Sequence, residues 1–586
     1  MSSDSSNCKP CATWALVTLS AAITLGIFLL LSRASIAGLF VPYEYQYDAL
    51  FYDALIKGMA EHGWILRNAS LGAPAGQMLF DFPSLDLASL AILKLLTLVS
   101  NNCAVIVNVA FILSFPLTAA TAAYAARRLN LAPATSVAIG ILYAFAPYHF
   151  MRCEHHILLS LYMIVPLSAL LIVDVAADRI GPLLARRCAG YAALAVLTGL
   201  AGAYYCLIAC VLLVAVAALS ALDRRRISIF TTAMAFAAIA ACTLGLCAAP
   251  NIAYWSSHGQ PRRLTRHADE SEKFGLTLSQ MILPVPHHRV AAFDDIRRKF
   301  DSNMLPGITT ENDDAALGLT ATIGLLVLLG APFIRPLRKM LGPNIVLSYT
   351  VIAAYLWATI GGFAAAMTLL PMATMLRSTN RVSIFIAFCC LCAVGLAVEA
   401  VVRRRPALRA RPAVLAIVGA VVVFLAVLDQ WPGTFTLTDR ANATRWASDE
   451  RLGKLIDATL PPGAMVYNLP SVAFPEGVTY GLGDYDEFRP YLHTHHVRYS
   501  YGTIRGAASS DWQGELPTDG RDLVDTLARL GFRAIVVDAS YLANGSWTAA
   551  QTHALVQACH ATPTISADGD FVFMPINARP AATWGF

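Results

Sequence analysis

Residues 188–222 read CAGYAALAVLTGLAGAYYCLIACVLLVAVAALSAL, an apolar block without one charged side chain, followed at once by Asp223 and the triplet Arg224 to Arg226. At 1.5 Å per residue a single helix of this length would run about 50 Å, against a bilayer core of about 30 Å, so the block has to break once. A tight turn near Gly202 to Tyr204 divides it into two spans. Working outward, windows of about 19 residues place further apolar spans at Thr13 to Ser32, Val105 to Ala126, Ala134 to Ala146 and His156 to Val173. Others follow at Ile227 to Ala249, Ala315 to Phe333, Ile345 to Phe363, Val382 to Val401 and Ala413 to Leu428, which makes eleven. Over the whole chain of 586 residues, 57% are hydrophobic and 14% charged, with a mean hydropathy of +0.57. Soluble domains carry about a quarter charged residues, so a soluble enzyme is excluded. Apolar blocks without heptads exclude disorder and coiled coil as well. The reading is a polytopic α-helical membrane protein.

The net charge of +5 does not point to nucleic acid, because the basic residues form no stripe. They stand in short clusters between spans. Alternate loops carry Arg127 with Arg128, Arg179 with Arg186 and Arg187, the Arg224 to Arg226 triplet, RPLRK at 335–339 and RRRPALRAR at 403–411. Lys and Arg in short loops favour the cytoplasmic side, so the amino terminus is expected there and the carboxyl terminus outside. The long loops 40–102 and 251–314 and the 364–381 turn then face outward together. The stretch at Thr13 is span-length and no small-residue cleavage pattern follows it, so it reads as a span rather than a cleavable signal.

From Asp429 the composition changes, dividing a membrane region, 1–428, from a soluble extracytoplasmic domain, 429–586. ERLGKLIDATL, PPG and AMVYNL read as helix, stop and strand, and DLVDTLARL, Gly531 and AIVVD repeat the order. With the late strand FVFMPI this predicts a small α/β domain. Between the two units lies GDYDEFRPYLHTHHVRYSYG, 483–502, rich in aromatic and charged residues and poor in aliphatics. Tyr485, Arg489, Tyr491 and His493 are its candidates for an acceptor surface, since sugars bind by stacking and charged hydrogen bonds. The other reading is a loop that packs on the membrane region.

Cysteines lie mostly inside the spans, where they serve as small apolar residues. The CKPC at Cys8 to Cys11 is assigned nothing. The pairs His155/His156, His287/His288 and His495/His496 lack helix-face ligand spacing, and no metal or other cofactor is indicated, although a divalent ion is compatible with the chain. Inside the spans there is no Asp, Lys or Arg, and Glu399 is the lone Glu, at a helix end. An ion-coupled transporter needs ionisable groups near the midplane, and none is available. Charge gathers instead where spans emerge: Glu44, Asp48 and Asp53, then Arg152, Glu154, His155 and His156, then Arg377 and Arg381. The segment YEYQYDALFYDALIKGMAEHGW, 43–64, has an amphipathic helical pattern. Asp48 and Asp53 then lie about 140° apart around the axis, so one is surface and one is not available to the same substrate. Asp48 is preferred, with Glu44 one turn earlier on the same face and Asp53 in support.

Taken in order, the acidic residue after the first span, PYHFMRCEHHILLSLYMIVPL at 147–167, ESEKFGLTLSQMILPVPHH at 270–288 and the RSTNR turn at 377–381 resemble the GT-C superfamily of multi-pass glycosyltransferases, in particular its YfhO-type bacterial branch. Asp48 is followed by Ala49 rather than by a second acid, and the WWD pattern of oligosaccharyltransferases is absent. The resemblance implies an enzyme of the bacterial cytoplasmic membrane that moves a sugar from a polyprenyl-phosphate donor to an external glycan or lipid acceptor. It implies Asp48 as the first-loop acid and Arg152, His155 or His156, Arg377 and Arg381 near the lipid phosphate. Partners would be donor, acceptor and membrane lipids, with no nucleic acid. A lipid or glycan flippase and a non-catalytic envelope assembly protein are the alternatives.

Overall fold

The computed structural model describes residues 10–180, 186–259, 270–303, 311–369, 378–437, 439–475, 477, 483–506, 508–543 and 547–577. Among them, eight helices are long and apolar enough to cross a membrane: Thr13–Ser32, Cys103–Arg128, Pro133–Arg152, Gly202–Arg224, Ile227–Cys247, Arg335–Ala358, Thr379–Arg404 and Pro412–Gln430. Three shorter apolar helices, Val165–Ala176, Cys188–Leu200 and Gly318–Gly330, occupy the remaining stretches read as spans. Each of the eleven stretches therefore carries a helix. A further short one, Leu87–Leu96, sits in the first long loop.

The long apolar block breaks where its length demands. One helix ends at Leu200 and the next begins at Gly202, whose φ of +81° suits a residue without a Cβ. A side chain there would meet Asp86, which caps the Leu87–Leu96 helix by accepting the Ser89 N–H at 3.0 Å. The first three spans pack against one another. A Cβ on Gly140 would collide with Ser20 and the Ala119 carbonyl, so this glycine sets how closely the helices approach.

The carboxyl-terminal region forms a five-stranded mixed sheet. Its strands lie in the order Arg498–Tyr499, Met465–Leu469, Phe532–Asp538, Phe571–Pro575, Thr564–Ile565, the first two junctions parallel and the last two antiparallel. Strand alternation separates two faces. Tyr467, Leu469, Ile535 and Val537 face one way, into a core closed by Leu523, Leu527 and Leu555 of the Gly520–Arg529 and Ala549–Cys559 helices. Val466, Ala534, Val536 and Phe573 face the other way and join the apolar core that runs on through the Arg440–Thr459 helix into the first long loop and the spans. Apolar packing thus continues from the sheet into the membrane region.

Candidate functional site

The helix of the first long loop starts at Asp48 and runs to His62, not from Tyr43 as the amphipathic pattern suggests. The physical reason is cross-bonding. The Tyr43 N–H donates to Asn108 at 3.3 Å and the Glu44 N–H to Glu154 at 3.0 Å, so this stretch is tied to other segments instead of coiling on itself. Asp48 consequently occupies the first turn, where a carboxylate meets the positive end of the helix dipole. Its side chain is 43% exposed, whereas Asp53 is 1% exposed. One oxygen of Asp53 has no hydrogen-bond partner among the described residues, and burial holds its carboxyl well above the usual carboxylate range. The two acids do lie on different faces, and only Asp48 is reachable.

Glu44 is not a turn earlier on the same helix, yet it reaches the same place. Its carboxylate accepts the His155 N–H at 2.7 Å and lies 2.9 Å from the His155 ring. Burial opposes the charged imidazole, but Glu44 outweighs it and raises the His155 pKa. The neighbouring ring, His156, comes within 3.6 Å of Asp48. Glu154 is buried beneath them, its carboxyl raised well above the usual range by burial first and by Asp53 next.

Arg152 is fully buried and lies 3.0 Å from Glu311 and 3.1 Å from Asp314. Burial lifts Asp314 to about 6 although Arg152 opposes the shift. Arg381 approaches the same Glu311 at 3.6 Å and stacks on the Tyr204 ring at 3.9 Å. Arg152 and Arg381 are therefore joined through one carboxylate. Burial raises the phenol of Tyr52, one turn beyond Asp48; Asp48 adds to the shift and Arg381 opposes it. Around Arg381 much hydrogen-bonding capacity is unspent. Among the described residues, the Ser378 and Ser383 hydroxyls, both amide atoms of Asn380 and Arg381 Nε are buried with no partner.

The structure thus draws Asp48, Glu44, Arg152, His155, His156 and Arg381 to one end of the bundle. Arg377 lies outside the described residues. Arg152 and His155, expected at a donor phosphate, are taken up by carboxylates of the chain itself, which any phosphate would have to displace. Glu311, Asp314, Tyr204 and Tyr52 escape sequence reasoning. The run Glu311-Asn-Asp-Asp, placed just before a span begins, was a signal of the same kind as the clusters that were read.

The aromatic segment corrects a second expectation. Arg489 is 2% exposed and binds Asp449 at 2.7 and 3.0 Å, Asp568 at 3.0 Å and Asp570 at 2.7 Å. Tyr491 is buried and accepts from Asn68 at 2.9 Å, and His493 contacts the Tyr45 hydroxyl at 3.1 Å beside Trp446. Burial lowers the His493 pKa to about 3. Tyr485 is buried between Phe51 and Phe488. These groups join the sheet region to the first long loop and offer no open acceptor surface. Scarcity of aliphatics did not mean exposure, because aromatic rings and satisfied charges make this core.

The carboxylates near the site are engaged by the chain's own cations. Glu44 faces His155, Glu311 and Asp314 face Arg152, and no set of three His, Cys, Asp or Glu positioned to hold a metal occurs among the described residues.

Comparison with known proteins adds a fold. No family model and no curated protein sequence matches the chain. The mycobacterial arabinofuranosyltransferase AftD shares the architecture at a TM-score of 0.50 and 15% identity, covering 97% of this chain and 40% of AftD. This chain therefore spans well under half of that protein's length. The oligosaccharyltransferase AglB of Archaeoglobus fulgidus, solved with an inhibitory peptide and a dolichol-phosphate, gives a TM-score of 0.44 at 14% identity, over 97% of this chain and 74% of AglB. The Archaeoglobus fulgidus oligosaccharyltransferase complex with Zn and sulfate gives 0.44 at 13%, over 95% and 73%. The fold is similar to that of the multi-pass membrane protein AftD.

Proposed function

We propose that this chain is a membrane glycosyltransferase that moves a sugar from a polyprenyl-phosphate-linked donor to a glycan or lipid acceptor at the outer face of a bacterial cytoplasmic membrane. The observation that carries the reading is the meeting of a reachable carboxylate, Asp48, with His156 at 3.6 Å, beside a paired arginine system of Arg152, Glu311 and Arg381. Nucleotide sugars are cytoplasmic, so a site on the outer face needs a donor carried through the membrane by lipid. The amino terminus is then cytoplasmic, and residues 429–586 lie outside, where they hold the first long loop. The motifs at 147–167, 270–288 and 377–381 support the YfhO-type branch.

In the transfer, an acceptor hydroxyl oxygen attacks the anomeric carbon while Asp48 takes its proton, as general-base catalysis requires. The bond from that carbon to the phosphate oxygen breaks, and the electron pair leaves with the phosphate. Arg381 receives the developing charge with its planar fork, and the unspent hydroxyl and amide groups of Ser378, Asn380 and Ser383 add donors. Arg152 positions Arg381 through Glu311. His156, 3.6 Å away, orients Asp48. The step balances without a cofactor.

Labelled sugar transfer in membranes containing Asp48→Asn tests this reading. A fall of about 10²-fold to 10⁴-fold is expected for loss of a general base. Undiminished turnover removes Asp48 from the mechanism.

A further inference from the structure

At the opposite end of the bundle, the end of the Gly202–Arg224 helix and the short Arg335–Leu341 helix enclose a cleft of about 530 Å³ lined by Asp223, Arg224, Arg335, Arg338 and Lys339. Three arginines at this end pair with carboxylates. Arg179 pairs with Asp174 at 2.9 Å, Arg226 with Asp178 at 2.5 Å and Arg403 with Glu399 at 3.2 Å. The cleft differs. Among the described residues no carboxylate pairs with Arg335, Arg338 or Lys339, and Arg224 has a carbonyl, that of Ala177 at 3.4 Å, rather than an acid. Four cations thus share one cleft with a single acid, Asp223.

The cations also stand at the edge of an apolar surface. Leu222, two residues before Arg224, is 77% exposed, and Phe333, two residues before Arg335, is 86% exposed, with Ile334 and Ile227 also bare. Exposed apolar side chains directly beneath unpaired arginines match the boundary between acyl chains and headgroups, where long cationic side chains reach outward from the hydrocarbon. A free phosphate ion would use the cations alone and leave the apolar rim unexplained. A lipid uses both.

We infer that this cleft binds the headgroup of an anionic glycerophospholipid in the leaflet opposite the Asp48 site, its phosphate oxygens on the Arg335 and Arg338 forks and its acyl chains along Leu222 and Phe333. Arg forks suit phosphate because they donate two parallel hydrogen bonds. The net charge of the cleft favours headgroups carrying more than one negative charge over singly charged ones. The site is independent of the transfer reaction proposed above.

The test uses purified full-length protein in detergent, incubated with dioleoyl phosphatidylglycerol, tetraoleoyl cardiolipin or dioleoyl phosphatidylcholine, and native mass spectrometry to read lipid retained per chain. Wild type retains cardiolipin most strongly, phosphatidylglycerol next, and sheds phosphatidylcholine. Arg335→Gln/Arg338→Gln/Lys339→Gln lowers the apparent affinity for cardiolipin roughly 100-fold, as expected for three cations near an anionic headgroup. Arg403→Gln/Arg404→Gln/Arg405→Gln, which removes the same charge from a neighbouring loop, leaves retention unchanged. Arg335→Lys/Arg338→Lys preserves the charge and the fold but removes the forks, and weakens retention about tenfold. Equal loss in the two triple variants, full retention by the lysine variant, displacement of the lipid by millimolar inorganic phosphate, or retention of phosphatidylcholine as strong as that of cardiolipin would each overturn the proposal.

Discussion

Two clusters in this protein are built from the same residue types and have opposite characters. Arg489 is enclosed by Asp449, Asp568 and Asp570, and every one of its guanidinium nitrogens has a carboxylate within 3.0 Å. Around Asp48 the pairing is looser: His156 stands at 3.6 Å, Arg381 at 3.6 Å from a carboxylate it shares with Arg152, and Asp48 itself meets solvent. A closed ionic network in a dry core holds segments in place, because removing one partner leaves a buried charge uncompensated. A network with a reachable acid and unspent donors is arranged to accept something more. Composition alone does not separate the two. Completeness and burial do.

Breaking the closed cluster has the largest expected effect on stability. Arg489→Ala leaves the buried Asp449 without its cation and is expected to cost about 3–5 kcal/mol, seen as a marked drop in thermal midpoint and in yield of folded protein. Next comes Tyr45→Phe. Its hydroxyl donates to Asp449 at 2.8 Å and touches His493, so its loss is expected to cost about 1–3 kcal/mol while transfer per folded molecule changes little. A large loss of transfer at full folding would show that the closed cluster also acts in the reaction.

In the open cluster the expected signs reverse. Arg381→Lys keeps the charge but gives up the fork and the stack on Tyr204, so transfer falls about tenfold with the thermal midpoint nearly unchanged. The smallest effect concerns His155. Glu44 raises its pKa, so the pair contributes stability that is fully present below the ordinary histidine value of about 6.5 and is lost as pH rises through the raised one. The difference in thermal midpoint between wild type and Glu44→Gln should therefore be largest below the ordinary histidine value of about 6.5 and shrink as pH rises above it. A difference that grows with pH would contradict the pairing.

What could be read from the chain divides along the same line. Spans announce themselves locally, as runs of apolar residues about as long as a bilayer is thick, and the break at Gly202 followed from length alone. Three of the sheet strands were legible too, AMVYNL and AIVVD because each stands after a helix stop, and FVFMPI as a late apolar run. Long-range pairing was not. Arg152 finds Glu311 159 residues away, and Arg489 finds Asp568 and Asp570 about 80 residues on, separations that carry no periodic signal. The start of the helix at Asp48 was hidden for the same reason, because Asn108 and Glu154 hold the preceding backbone from elsewhere in the chain. Within the first loop, however, the geometry of one helix sufficed to put Asp48 and Asp53 on different faces.

That last contrast provides the sharpest test. Asp48→Asn and Asp53→Asn make the same chemical change five residues apart on one helix, one at a half-exposed carboxylate and one at a buried carboxyl whose pKa burial raises. Single-turnover transfer of labelled sugar from a polyprenyl-phosphate donor, at matched amounts of folded protein, should fall at least about 100-fold in Asp48→Asn and stay within about fivefold of wild type in Asp53→Asn. Equal rates in the two variants, or normal turnover without the Asp48 carboxylate, would contradict the account.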